Sequence, residues 1–443
     1  MALHQSIDRT TQLGKYRLII LLALSVCYFT NNTTASVFVH SNDKNTLEFT
    51  NSPSIKTVKT HKLGWELADP VIEMNGNDRV VLTFDDISNT PGNYSYSIVH
   101  CDSEWNPSNL FINDYMDGFE VNEIRDYSFS TGTSSSYTHF RLELPNRDVR
   151  MRISGNYLIR VFDTYNPDVI LLQRRFLVYE PLINITASIR QPSAGEFRFS
   201  GQQVELQLNT ARLRITDPFA EIKAVVCQNH LFQGCHEDVK PAFVRGDILD
   251  YSQPNALIFE GGNEYRLFDS KSIRYSGQGI QSISYYGGEF HIQLNEDHSR
   301  RSTRYTFYPD LNGRFVVNLE RSTQSHIEAD YAWTYFTLRT PMELDEGKSV
   351  YLFGELTGWE LSPPNRMVFN PERNAYETKL LLKQGAYNYR YLIVNDKTGE
   401  VDATHFEGSY FDTENSYTVL VYYKPLGARY HRLTGYKKIS TSR

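Results

Sequence analysis

The chain has 443 residues, of which 40% are hydrophobic and 22% are charged, and its formal net charge is −7. This composition is ordinary for a folded globular protein, and it excludes a chain disordered along its whole length and a collagen-like fibre. The negative charge argues against bulk electrostatic binding to nucleic acid. The length predicts roughly three domains. Aromatic residues make up 13% of the chain, and such residues favour β-sheets.

The N-terminal segment is typical of an export signal. Lys15 and Arg17 precede an apolar run at 18–26. The run is about nine residues long, which suits a secretory signal and is too short to span a bilayer as a helix. We expect residues 1–35 to be a signal peptide, and no later segment is long and apolar enough to cross a membrane as a helix. The residues before Cys27 loosely resemble a lipoprotein signal, which leaves lipidation at Cys27 as a minor alternative.

Alternation of apolar and polar residues with a period of two dominates the rest of the chain. In 94–101, for example, Tyr94, Tyr96, Ile98 and His100 share one face of a predicted strand. One face of another predicted strand is shared by Tyr387, Tyr389, Tyr391 and Ile393. No long stretch has the helical period of 3.6, so we expect little helix. The pattern predicts an all-β protein of tandem Ig-like (E-set) β-sandwich domains.

Turns and junction segments divide the predicted strands into units. We expect a first β-sandwich at 36–182, a second β-rich domain at 183–338 and a third Ig-like sandwich at 339–425. A basic tail follows at 426–443. This tail contains no acidic residue, and its cationic residues are Arg429, Arg432, Lys437, Lys438 and Arg443. The tail is expected to be a solvated disordered terminus or, alternatively, a contact for an acidic surface or lipid headgroups.

Three cysteines would remain after cleavage of the signal peptide. They are Cys101, Cys227 and Cys235, and an odd number excludes a complete disulfide framework. Cys227 and Cys235 flank a plausible turn, so an oxidising compartment would allow a disulfide between them. Two free thiols fit the sequence equally well. Together with His236 these cysteines match no common zinc spacing, so we predict no metal site.

No segment carries a recognisable catalytic constellation. The sequence His100-Cys101-Asp102 contains a base, a nucleophile and an acid. Neighbours on a strand point to opposite faces, however, so His100 and Cys101 cannot form a catalytic dyad. The carboxylate pairs Asp85-Asp86 and Glu296-Asp297 are expected in turns. We predict no catalytic residue, no cofactor and no enzymatic activity.

Two segments of the third unit resemble glycogen-binding modules. The segment 350–359, VYLFGELTGW, is similar to their F-x-G-x-F-x-x-W opening, and 383–391, KQGAYNYRY, is similar to their G-x-Y-x-Y-K-F strand. The resemblance implies that Trp359, Arg390 and Asn415 would contact a sugar. The loop 395–400 lacks the second tryptophan of those modules. The alternative is that Trp359 packs within a turn of the sandwich.

A series of segments along nearly the whole mature chain resembles one further family. They are IVHCDSEWNPSNL at 98–110, YMDGF at 115–119, SGNY at 154–157, RRF at 174–176, EGGNEYRLFD at 260–269 and DYA at 330–332. These strings are similar to the plug proteins of the type IX secretion system of Bacteroidetes. The residues that carry the family motifs are His100, Cys101, Asp102, Trp105, Pro107, Ser108, Gly155, Asn156, Tyr157, Asn263, Glu264, Arg266 and Asp269.

The resemblance implies a non-enzymatic periplasmic protein, peripheral to the outer membrane, that occludes the periplasmic mouth of the secretion translocon barrel. That barrel would be its partner, with no role for nucleic acid. A plug needs a rigid body and a large interface, which tandem β-sandwiches supply. The alternative function is an exported glycan-binding protein that uses its third domain.

Overall fold

The computed structural model describes residues 47–441 except 89, 194 and 254–255. The expected signal peptide and Cys27 lie outside these residues. Strands make up 48% of the structure and helices 5%, which confirms the all-β prediction. No helix among the described residues is long and apolar enough to cross a membrane. The short helices are α1 Ile112–Tyr115, α2 Pro218–Glu221 and α3 Ser325–Glu328, with 3₁₀ turns at Glu196–Arg198, Glu355–Thr357 and Pro363–Asn365.

Within the described residues, the first sandwich contains twelve strands. They are β1 Phe49–Thr50, β2 Ile55–Lys62, β3 Val71–Glu73, β4 Val80–Asp86, β5 Tyr94–Cys101, β6 Met116–Gly118, β7 Asn122–Glu123, β8 Asp126–Phe129, β9 Thr138–Leu144, β10 Val149–Met151, β11 Gly155–Asp163 and β12 Asn166–Tyr179. One sheet has the order β1-β12-β11-β5-β7 with β3 beside β12, and it faces the sheet β2-β4-β9-β8. Their inner faces form one core, which receives Tyr94, Tyr96 and Ile98 as the alternation predicted.

The described part of the second sandwich begins with seven strands. They are β13 Asn184–Arg190, β14 Gly201–Asn209, β15 Ile222–Gln228, β16 Cys235–Val239, β17 Phe243–Arg245, β18 Ile248–Asp250 and β19 Ile258–Glu260. One sheet has the order β13-β14-β18-β17 with β19 beside β14.

The third sandwich follows along the chain. Its strands are β20 Arg266–Asp269, β21 Ile280–Tyr286, β22 Glu289–Leu294, β23 Asp297–His298, β24 Phe315–Val317, β25 Tyr331–Arg339, β26 Lys348–Phe353, β27 Val368–Asn370, β28 Ala375–Lys383, β29 Gly385–Asn395 and β30 Val401–Asp402. The sheet β21-β22-β25-β28-β27 packs on a sheet built around β29, which pairs with β20, β24, β26 and β30. Tyr387, Tyr389, Tyr391 and Ile393 all enter this core, as expected.

The chain then returns to the second sandwich. The last strands, β31 Ser416–Tyr423 and β32 Arg432–Ser440, complete a sheet of order β16-β15-β31-β32. The sheets therefore divide the chain differently from the boundaries expected at 338/339 and 425/426. Alternation shows which face of a strand is buried, but it does not show which distant strand lies beside it.

The basic segment near the C-terminus is also ordered by strand pairing, in contrast to the solvated terminus that was expected. Residues 432–440 pair with β31 along its length. Lys438 Nζ donates a hydrogen bond to Asp69 Oδ2 of the first sandwich at 2.8 Å. A carboxylate elsewhere in the chain thus compensates part of the positive charge.

Candidate functional site

His100 and Cys101 lie on opposite faces of β5, so the structure separates the base from the nucleophile. His100 is 1% exposed, and its Nδ1 lies 2.9 Å from the Oγ of Ser108. A Cβ on Gly155, whose φ is +148°, would come within 2.4 Å of His100 Nε2, so only glycine fits there. Burial lowers the pKa of His100 to about 4.

Cys101 belongs to a different apolar cluster from His100. The Cys101 side chain is fully buried beside Leu158 and Leu177. Burial raises the pKa of its thiol to about 12. The reactive form of cysteine is the thiolate, so this buried thiol is inert as a nucleophile at neutral pH.

Asp102 closes the turn that follows β5. Its Oδ1 accepts hydrogen bonds from the amides of Glu104, at 2.8 Å, and Asn106, at 3.0 Å. The turn holds Trp105 at a φ of +69°, and it returns the chain so that Pro107 bridges to Cys101. The amide of Ser108 then donates to the carbonyl oxygen of His100 at 2.9 Å. These motif residues have structural roles that the local backbone requires.

Asn156 and Tyr157 extend the same motif across the sheet. Asn156 Nδ2 donates to the carbonyl oxygen of Asp102 at 2.8 Å, and Asn156 Oδ1 accepts from the hydroxyl of Tyr422 at 2.8 Å. Since Tyr422 lies on β31, this bond joins the first sandwich to the second. Tyr157 is fully buried and stacks on Phe176 with ring centroids 5.2 Å apart.

Cys227 and Cys235 are joined in a disulfide that closes a loop beside this motif. The bonded sulfurs are not free to ligate a metal. Phe232 of the loop meets the ring of Trp105 edge to face, with centroids 5.1 Å apart. The guanidinium of Arg175 lies 4.3 Å from the centroid of the Phe232 ring. The disulfide-closed loop therefore packs against the first sandwich by aromatic and cation–π contacts.

A second cluster surrounds Glu407, which is 2% exposed. Arg266 Nε donates to Glu407 Oε1 at 3.0 Å, and Arg300 Nη2 donates to Glu407 Oε2 at 2.6 Å. Arg266 also donates to Asp297 Oδ1 at 2.7 Å. Burial alone would raise the pKa of Glu407, but the two arginines outweigh it and hold that pKa below its usual value. This is a satisfied buried ion network.

The remaining motif residues near β20 serve the same region. Asn263 Nδ2 donates to the carbonyl oxygen of Glu407 at 2.8 Å, and Asn263 Oδ1 accepts the amide of Glu264 at 2.9 Å. Asp269 Oδ1 accepts the amide of Lys271 at 2.9 Å and so closes a turn. The motif residues thus maintain the fold around β20, and they do not line an open cleft.

A third polar cluster, which the sequence motifs did not reveal, joins the first sandwich to the third. Asp85, fully buried on β4, accepts hydrogen bonds from Lys383 Nζ at 2.6 Å and from the Tyr331 hydroxyl at 2.7 Å. His139 Nδ1 lies 2.6 Å from the other carboxylate oxygen. Burial would raise the pKa of Asp85, but Lys383 and His139 hold it below its usual value.

The expectation that Asp85-Asp86 lies in a turn was wrong, because both residues belong to β4. The sequence offered one signal for this cluster, a pair of acids at the end of a mostly apolar strand. A buried acid requires a partner. That partner, Lys383, is 298 positions away.

The three residues proposed for glycan contact lie in protein contacts. The Trp359 side chain is 7% exposed, and its ring lies 4.4 Å from the His230 ring. Arg390 is stacked over Tyr265 at 5.0 Å. Asn415 Nδ2 donates to Gln202 Oε1 at 3.0 Å and to the carbonyl oxygen of Gly261 at 2.7 Å. A sugar stacks on an exposed ring face, and Trp359 does not offer one to solvent. Glycan binding stays an untested alternative to the packing role of Trp359.

The surface carries a groove and several exposed apolar side chains. The groove, of about 790 Å³, is lined by equal numbers of arginines and acids, so its charge is balanced. The most exposed large apolar residues are Trp65, Phe111, Phe119, Tyr165, Phe199, Met342, Val368 and Leu426. Exposed aromatic side chains of this kind serve as anchors in protein interfaces.

The chain is similar to known proteins over its first sandwich and over most of its length. Residues 55–180 match the family described as type 9 secretion system plug protein, first domain. A crystal structure of a hypothetical protein from Parabacteroides merdae ATCC 43184 is 35% identical, with a TM-score of 0.86, and the match covers 89% of this chain and 99% of that chain.

Two further comparisons add no functional information. A crystal structure of Salmonella alpha-2-macroglobulin reacted with methylamine is 10% identical, with 87% of this chain and 24% of that chain covered. Its TM-score of 0.13 supports no structural argument. No curated protein matches the chain.

Proposed function

Because residues 55–180 match the first domain of the type 9 secretion system plug proteins, we propose that this protein occludes the periplasmic mouth of the secretion translocon barrel in the outer membrane. The protein would act without catalysis, as a body that fills and covers an opening. Its place would be the periplasm, peripheral to the outer membrane.

The observation that carries this proposal is the set of buried polar contacts between sandwiches. Asp85 of the first sandwich is bound by Lys383 of the third, with both side chains at most 1% exposed. Asn156 of the first sandwich is bound by Tyr422 of the second. Separating the sandwiches would leave buried charges and polar groups without partners. A buried charge that loses its partner destabilises the folded state by about 3–5 kcal/mol. A plug that resists deformation needs such connections.

The disulfide supports an exported location. Disulfides form and persist in oxidising compartments such as the bacterial periplasm. Cys227 and Cys235 are bonded in the structure, and the loop they enclose packs against the first sandwich through Phe232. The pairing is therefore consistent with a protein that folds after export.

Affinity purification from detergent-solubilised outer membranes tests the proposal. The full chain, tagged after the signal peptide, is expected to recover a very large β-barrel in near-equal amount. An unrelated exported β-sandwich protein with the same tag serves as the control. Failure to recover any barrel, together with retention on an α-glucan resin, would contradict the plug role and favour the glycan-binding alternative.

A further inference from the structure

Strand β21 forms one edge of the largest sheet of the third sandwich. Among the described residues it pairs only with β22. Five of its seven residues are exposed: Gln281, Ser282, Ser284, Tyr285 and Tyr286. The strand contains no charged residue and no proline. Edge strands of soluble proteins usually carry such residues, because an unprotected edge pairs with other chains.

The other long edge strands that the structure describes are protected in the usual way. Strand β2 carries Lys56, Lys59 and Lys62 and contains a register shift. Strand β32 carries Arg432, Lys437 and Lys438. Of the remaining described edge strands with five or more residues, β13, β16 and β26 each carry at least one charged side chain. The absence of charge from β21 is therefore a local exception.

The geometry of the hairpin shows which backbone groups β21 offers. A two-residue turn, Gly287-Gly288, joins β21 to β22, and Tyr286 lies opposite Glu289. The closing pair of such a hairpin exchanges both hydrogen bonds, and the bonding alternates along an antiparallel ladder. The N–H and C=O groups of Ile283 and Tyr285 therefore point away from β22, where an added strand would meet them.

Aromatic rings flank this edge on both faces of the sheet. Tyr285 lies against Phe290 with ring centroids 4.7 Å apart. On the opposite face, Tyr286 stacks on His291 in parallel, with centroids 3.7 Å apart. An added strand would direct its alternate side chains toward these two rings. Uncharged, apolar or small side chains suit both positions.

We propose that β21 is a docking edge that receives an extended, uncharged segment of a partner polypeptide as an additional strand. Main-chain hydrogen bonds to Ile283 and Tyr285 would provide affinity, and the flanking rings would select the side chains. The identity of the partner as the translocon barrel rests on the proposed function. The docking edge itself depends on the features of β21 alone.

Photocross-linking in living cells tests the proposal. A benzophenone amino acid replaces Ser284 and, as the matched control, Ser440, since both serines are exposed on long edge strands. We expect an adduct from position 284 and none from 440. Peptide mapping should place the adduct in an extended, uncharged segment of the partner.

Two backbone variants separate strand addition from contact with side chains. Tyr285→Pro removes the outward N–H and should lower the adduct yield at least tenfold. Tyr285→Thr keeps the N–H and should leave most of the adduct. Thermal unfolding checks that each variant is folded. If the proline variant fails to fold, Ser282→Lys replaces it, because a charge on this exposed position opposes pairing without removing a bond to β22.

The outcomes distinguish this inference from the proposed function. Recovery of the barrel without any adduct from position 284 would overturn the docking edge and leave the plug role intact. An adduct that requires the Tyr285 amide but maps to a different polypeptide would support the edge and overturn the barrel as its partner. An adduct that is equally strong in the proline and threonine variants would overturn strand addition.

Discussion

His100 combines a buried ring, one nitrogen beside Ser108 and a pKa of about 4, which burial lowers from the usual value. The ring lies 5.1 Å from that of Tyr157 and 5.8 Å from that of Tyr115, so aromatic groups surround it. Its surroundings stabilise the neutral form. The side chain therefore packs the first sandwich, and the folded state resists its protonation.

The replacement His100→Gln tests this account through pH. In the wild type, the unfolded chain takes up a proton near pH 6.5 while the folded chain does so only near pH 4. The contribution of neutral His100 to the free energy of unfolding is thus complete above pH 6.5 and is lost as the pH falls toward 4. The wild-type free energy of unfolding should fall by roughly 3 kcal/mol more than that of the variant between pH 7 and pH 4. Denaturant unfolding measures the free energy of unfolding of both proteins. Parallel pH profiles for the two would contradict a lowered pKa for His100.

At the scale of elements, strand ends and loops connect the sandwiches. Strand β4 carries Asp85 as its second-last residue, and Asp85 meets Lys383 at the end of β28. The disulfide-closed loop after β15 places Phe232 against Trp105. Strand β31 adds Tyr422, whose hydroxyl reaches Asn156. Two of these connections are buried, and the third, at Phe232, is partly buried. The strands that form the cores therefore also hold the sandwiches together.

The replacement Lys383→Met should destabilise the protein by about 3–5 kcal/mol, because it leaves the buried Asp85 carboxylate without its cation. The double variant Asp85→Asn, Lys383→Met should recover part of this loss, since neither charge then remains. Lys348→Met is the matched control, because Lys348 and Asp345 form an exposed pair 3.5 Å apart. It should cost less than about 1 kcal/mol. Equal losses from the two single variants, measured by denaturant unfolding, would contradict the connecting role of Asp85.

At the scale of the whole molecule, a plug is expected to close a channel without driving transport. A cell that lacks this protein should still secrete, while its outer membrane should admit polar solutes. A pore wide enough for folded cargo presents no low-dielectric barrier of its own. Uptake of a large hydrophilic antibiotic should therefore rise in the deletion strain and return to normal on complementation.

Secretion assays in the same strains supply the opposing outcome. Complete loss of secretion would mean that the protein is a working part of the export machinery, and the closing role would be wrong. Unchanged permeability, combined with no recovery of a barrel in the purification experiment, would contradict the plug function as a whole.

The amino-acid sequence by itself determined the fold class and the buried face of individual strands. Alternation in 94–101 correctly put His100 and Cys101 on opposite faces, and it put Tyr387, Tyr389 and Tyr391 in one core. These predictions succeeded because the period of two is a property of every β-strand. The motif strings also indicated the family whose first domain matches residues 55–180, although they did not show that their residues support turns and junctions.

Only the tertiary structure decided which strands are neighbours and which polar groups meet. Ile222 pairs with Tyr423 across the chain segment that forms the third sandwich, so the predicted boundaries could not follow the sheets. Asp85 and Lys383 are likewise distant in sequence. The alternation within a strand specifies which of its faces is buried. Many strands share a similar alternation, so it does not specify which strand lies beside which. The partner is selected by packing and by the pairing of buried charges, which depend on residues far apart along the chain.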